Sequence, residues 1–123
     1  MSRHRARARD YIESMLKCSG KIAQFSADRT RESFLSDALV QDATVRNLEI
    51  LGEASRQLLD VLPDAASRFP QLDFRTMYAL RNRLIHGYLT VNMEIVWDVI
   101  QNEIPVLRPV LEQILANWPS DLT

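Results

Sequence analysis

Cysteine is almost absent from this 123-residue chain: Cys18 stands alone. That excludes an intrachain disulfide framework and any cysteine-rich zinc module. Histidine is nearly as scarce, with only His4 and His86, so an all-histidine metal site would need ligands from a second chain. Glycine is limited to Gly20, Gly52 and Gly87, and no repeat or Ser/Gly-rich linker divides the sequence. One domain over residues 1–123 is expected at this length. No apolar run approaches the roughly 20 residues that cross a bilayer. The stretch Met-Ser-Arg-His-Arg-Ala-Arg-Ala-Arg has no hydrophobic region behind it, unlike a secretory signal. A cytoplasmic protein without membrane attachment is therefore expected. A dominant charge is missing too. With 15 Lys+Arg against 16 Asp+Glu and a formal charge of -1, the chain is no general nucleic-acid coat protein, whose affinity rests on summed positive charge.

What is present is ordinary globular composition, 46% hydrophobic and 25% charged, which excludes disorder. One bias stands out: 13 of the 15 basic residues are arginine, Lys17 and Lys21 being the exceptions. Arginine presents a planar fork of donors suited to phosphate or carboxylate. Codon preference would produce the same bias.

Helical spacing runs almost throughout and alternating strand patterns are absent. The spacing predicts a first helix over about Arg9 to Phe25, carrying Tyr11, Ile12, Met15, Leu16, Ile22 and Phe25, and a polar interruption over Ser26–Glu32. A long second helix runs from about Asp37 to Leu62, stopped by Pro63. Asp73 caps a third to about Ile85, with Gly87 placed to end it. Asn92 caps a fourth reaching about Asn117, in which Pro105 and Pro109 each remove a backbone donor and predict a kink or break. Four main helices with short connections predict an all-α, antiparallel four-helix bundle.

Two helices carry more than a core stripe. In the second, residues from Leu39 to Leu62 form an apolar arc of about 200°, wider than one buried face requires. Either this helix is central to the monomer's own core or part of it meets a second subunit. In the third, Phe74, Met77, Tyr78, Leu84 and Ile85 share a face, and Arg81 falls in its middle. A guanidinium there must find a partner carboxylate, a ligand phosphate or a subunit cleft, or reach water along its stem.

His86 follows Arg81 by five residues, about 140° round a continuous helix, so the two do not share a face. A helix ending at Gly87 would let His86 and Tyr88 swing from the last turn. Alternatively, Arg81 of one subunit meets His86 of another. Either route joins a fixed cation, a phenol and an imidazole whose unperturbed pKa near 6.5 lets it exchange protons at neutral pH. Arginine stabilises charge developing on a phosphoryl group. The combination suits RNA cleavage, where the ribose 2′-hydroxyl is an internal nucleophile, better than DNA hydrolysis, which usually relies on metal-activated water. A structural His at a helix end is the plainer alternative.

Arg81-Asn82-x-x-x-His86-x-Tyr88 resembles the Arg-x4-His-x-Tyr signature of HepT-like proteins in the HEPN superfamily. Residues 41–54 (QDATVRNLEILGEA) are similar to the family's long-helix segment, and Met93–Ile100 with Ile104-Pro105 to its last helix. The resemblance implies a HEPN bundle with short extra helices, forming a homodimer whose two motifs face one composite cleft. It further implies a metal-independent endoribonuclease, without cofactor, acting as the toxin of a toxin–antitoxin pair. The implied antitoxin is a small nucleotidyltransferase of the MntA type, which in some members attaches AMP to the motif tyrosine, here Tyr88. By the same resemblance Arg81 binds phosphate and stabilises the transition state, His86 is the general acid/base, Asn82 is a polar support, and Tyr88 is the modification site and an RNA contact. Pro109 within the last helix and Arg83 beside the motif depart from the family pattern. One rival function is a non-catalytic protein that binds nucleotide or substrate for an adjacent nucleotidyltransferase; another is a dimeric helical interaction module without ligand.

Three further features carry less. Arg3, His4, Arg5, Arg7 and Arg9 form a basic run, either a solvated end or a contact for RNA or partner. Trp97 is expected in the core and Trp118 over the bundle end. Cys18 reads as a small buried hydrophobe.

Overall fold

The computed structural model describes residues 3–86 and 91–123, with side chains for 5–84 and 91–123. Its elements are α1 (Arg3–Ala6), α2 (Ala8–Ser26), α3 (Arg31–Leu35), α4 (Ala38–Val61), α5 (Ala65–Arg68), α6 (Phe74–His86), α7 (Met93–Asn102), α8 (Ile104–Ala116) and a 3-10 turn at Ser120–Leu122. Among the described residues there is no strand, and no helix is long and apolar enough to cross a membrane. The expected all-α bundle with short extra helices is what the chain forms.

The helix starts are local chemistry. Asp37 accepts from the Val40 N–H at 3.2 Å, Asp73 from Thr76 at 3.0 Å, and Asn92 from Glu94 and Ile95. Each satisfies N–H groups that the first turn leaves unpaired. Thr30 and Ser33 add a reciprocal capping box before α3, inside the segment expected to be an interruption.

The break expected from the prolines of the fourth helix is present, just before Pro105. The single fourth helix is two, α7 and α8, broken at Glu103. Pro105 sits in the first turn of α8, where its missing N–H has no intrahelical role. Pro109, by contrast, lies inside α8, and the helix continues through it.

The core is built along α2 and α4. Ile12, Met15, Cys18 and Ile22 of α2 are buried at spacings of three and four, as are Leu48, Leu51, Ala54 and Leu58 of α4, and these two helices form the bundle's central contact. Burying each such Leu or Ile contributes about 1.5–3 kcal/mol. Ser19 and Ser55 are buried with them, their hydroxyls donating to the Leu16 and Gly52 carbonyls of their own helices. On its other side α4 packs against α6, while α2 packs against α8. The wide apolar arc of α4 is thus used largely within the chain, although Leu39 at its start is 79% exposed. Trp97 is buried against Phe34, and Trp118 stacks on Phe69 at 6.0 Å.

This order, α6–α4–α2–α8, leaves a gap between the outer helices. A groove of about 460 Å³ lies between α6 and the α7–α8 pair, with Leu48 and Leu51 of α4 in its lining. Of the basic N-terminal run, Arg5 pairs with Asp121, Arg7 lies over Tyr11 and Arg9 pairs with Glu13, while the Arg3 and His4 side chains lie outside the described residues.

Candidate active site

Gly52 sits in the middle of α4, where a glycine costs about 1 kcal/mol relative to alanine. The structure shows what it permits. A Cβ there would overlap Arg81 Cβ and come within 2.9 Å of Arg81 Cγ and 3.1 Å of the Met77 carbonyl. The stem of Arg81 therefore lies directly over the α4 backbone, between Met77 (8% exposed) and Leu84 (2% exposed) on the packed side of α6.

The guanidinium finds the carboxylate that an arginine on an apolar face requires. Arg81 Nη2 is 2.9 Å from Glu53 Oε2, and Nη1 donates to Asn82 Oδ1 at 3.0 Å. Nε is buried with no hydrogen-bond partner. Glu53 is itself fixed: Arg56 Nη2 donates to Oε1 at 2.6 Å and Gln57 Nε2 donates to the same oxygen at 3.2 Å. Arg56 also reaches Asp60 at 2.8 Å. The Glu53 carboxyl is held below its ordinary 4.5, chiefly by the Arg56 hydrogen bonds; burial opposes the shift, and Gln57 and the Arg56 and Arg81 charges reinforce it.

This cluster opens onto a cleft of about 490 Å³, lined by Tyr11 and Ser14 of α2, Arg46, Glu49 and Gln57 of α4, and Arg81 of α6, among others. The cleft mixes both charge signs. Among the described residues no group of three or more His, Cys, Asp or Glu side chains is arranged to hold a metal ion.

The remaining candidates fall elsewhere. The α6 backbone is helical through His86, so Arg81 and His86 are five residues apart on one continuous helix, about 140° round its axis. The His86 side chain, Gly87 and Tyr88 lie outside the described residues. Tyr78, expected on the apolar face, is 44% exposed. Arg83 is exposed and lines the groove on the opposite side of α6, so it adds no charge to the Arg81 cleft. Cys18 is buried, and burial pushes its thiol above the ordinary 9.0, as suits a core residue rather than a nucleophile.

Gly52, Glu53, Arg56 and Gln57 were not singled out from sequence. The mid-helix glycine was the one signal available, since its cost implies a close backbone approach.

A half-buried arginine followed by a polar residue on a bundle helix is the arrangement the motif describes, and comparison with known proteins decides the family. A model described as "Ribonuclease HepT-like" matches residues 15–114. The chain belongs to this family. As a HepT-like protein it is 35% identical over 109 residues to "Putative RNase MJ0127" of Methanocaldococcus jannaschii, covering 89% of this chain and 88% of that one. It is 32% identical over 106 residues to "Probable ribonuclease HepT" of Thermococcus cleftensis, covering 86% and 94%. It is 33% identical over 113 residues to "Putative RNase TTE0752" of Caldanaerobacter subterraneus, covering 89% and 95%. No solved structure matches the chain.

Proposed function

We propose that this HepT-like chain is a metal-independent endoribonuclease, the toxin of a toxin–antitoxin pair, using Arg81 and His86 and silenced by AMP attached to Tyr88. The observation that carries the reading is the placement of Arg81. It is a half-buried guanidinium held at the edge of a cleft, in a chain whose family and relatives are named for RNA cleavage.

His86 takes the proton from a ribose 2′-hydroxyl, whose oxygen attacks the adjacent phosphorus. Arg81 binds the non-bridging oxygens as charge develops on them. The P–O5′ bond breaks, and a second proton donor protonates the departing 5′-oxygen, leaving a 2′,3′-cyclic phosphate and a 5′-hydroxyl. The continuous α6 separates Arg81 from His86 within one chain, which supports a homodimer in which the partner's helix supplies the complementary group. The apolar groove beside α6, with Ile95 37% and Val106 67% exposed on it, supports association with a second chain. An AMP on Tyr88, two residues past His86, adds a negative phosphate that competes for arginine and repels RNA. The partner is an MntA-type nucleotidyltransferase.

Incubation of the purified protein with RNA in metal-free buffer tests the reading. Cleavage should fall about 100-fold or more in His86→Ala, and equal cleavage by that variant would sink the assignment. Intact mass after co-expression with the nucleotidyltransferase should rise by whole AMP units in the wild type and not in Tyr88→Phe.

A further inference from the structure

Arg81 is clamped on three sides. Its stem is pinned over Gly52, Nη1 is held by Asn82, and Nη2 is held by Glu53. The Glu53 contact differs from an ordinary surface ion pair because the carboxylate is immobilised before it meets Arg81. Oε1 receives hydrogen bonds from both Arg56 and Gln57 on the next turn of α4, and Oε2, which Arg56 Nε also reaches at 3.3 Å, faces Arg81. Charge is balanced in the same unit. Arg56 offsets Glu53, while Asp60, bound to the far end of Arg56, is 61% exposed and screened by water. Arg81 lines the cleft at the edge of this network.

We propose that Glu53 is the positioning residue of this site, fixing the Arg81 guanidinium from α4 so that it is oriented before an RNA phosphate arrives. The inference rests on the reading of Arg81 as the phosphate-binding group. Preorganised donors raise the rate because no reorganisation remains for the reaction itself. A merely structural pair between half-exposed side chains would add little to stability and nothing to turnover.

Glu53→Gln tests the difference. The substituted amide cannot accept from Arg56, Gln57 and Arg81 through two oxygens, and its NH2 group meets one of these donors head-on. On a labelled RNA oligonucleotide in metal-free buffer, kcat should fall about 10- to 100-fold with KM changed by less than about threefold. Glu53→Asp, which keeps the charge, should recover part of the loss. In an Arg81→Ala background, Glu53→Gln should have almost no further effect, because the interaction it removes is already gone. Independently of cleavage, the Arg81 Nε–H resonance should be sharp and protected from exchange in the wild type and broadened in Glu53→Gln.

A Glu53→Gln protein with wild-type kcat, alongside an inactive Arg81→Ala, overturns the positioning role and leaves the proposed function standing. An unchanged Arg81 Nε–H signal overturns it too, whether or not RNA is cut. Arg81→Ala cleaving as fast as wild type sinks the proposed function instead, and the resonance then decides on positioning alone.

Discussion

Helix α6 borders two concavities of similar size and opposite chemistry. Toward α2 and α4 lies the cleft of about 490 Å³ with Arg46, Glu49, Glu53, Gln57 and Arg81. Toward α7 and α8 lies the groove of about 460 Å³ with Met77, Leu80, Ile95, Val99, Val106, Leu107 and Val110. Leu80 and Arg81 are adjacent in sequence yet serve different sides. In the first cleft Glu53 and Arg81 hold each other, and Arg56 beside it holds Glu53. In the second, apolar side chains stand open with only Gln71, Asp73, Arg75, Thr76, Arg83 and Glu103 as polar neighbours. Pre-paired charge around a guanidinium suits chemistry on an anion. An open apolar groove suits association. One helix carries both because its face changes every residue by about 100°.

Four experiments would break or sharpen this contrast. The largest effect is expected from Arg81→Ala, which should reduce RNA cleavage by about 100-fold or more while leaving the apolar groove and the far-ultraviolet circular dichroism unchanged. Wild-type cleavage would remove the chemical role from the polar cleft. Next is Val106→Glu, which puts a charge into the opposite groove. If the proposed homodimer uses this groove, sedimentation should show its dissociation constant raised by about tenfold or more, with the isolated chain still folded; an unchanged association would move the surface elsewhere.

Gly52→Ala should follow. Its methyl meets the Cβ of Arg81 and the Met77 carbonyl rather than a flexible chain end, so overpacking should cost about 1–3 kcal/mol in denaturant melts. It should also lower cleavage, because the site and the α4–α6 contact share that spot. Neutral stability would mean the two helices can part without loss.

The smallest effect is on the acid limb of stability. Glu53 has a folded pKa depressed below 4.5, so its contribution is complete above that value and is lost as pH falls through the lower folded value. The gap in melting temperature between wild type and Glu53→Gln should therefore be widest near neutrality and shrink below pH 4.5. A gap constant with pH would show that the Glu53 charge adds nothing to the fold.

Much of the fold was legible because it depends on neighbours in sequence. Asp37, Asp73 and Asn92 cap helices through contacts two or three residues away, and Pro63 stops α4 for local reasons. The break at Glu103 was foreseeable from Pro105, but its position was not, since proline is tolerated in a first turn and only packing selects which turn is first. Arg81 was legible as an anomaly on an apolar face. Its partner was not: Glu53 lies 28 residues earlier on a helix whose polar face offered Glu49, Asp42 and Asp60 equally. Nor could the sequence say that the apolar arc of α4 would be largely occupied by α2 and α6 rather than by a second chain.

What the sequence by itself determined is what acts over a few residues: helix content, caps, the apolar periodicity, and the motif Arg81-Asn82-x-x-x-His86-x-Tyr88 with the family it marks. Tertiary structure alone decided which carboxylate holds Arg81, which side of α6 became polar, and where the groove opened. Those outcomes follow from how α4 and α6 approach at Gly52, and that approach is set by close packing between segments distant in the chain, where small differences in shape decide which contacts form.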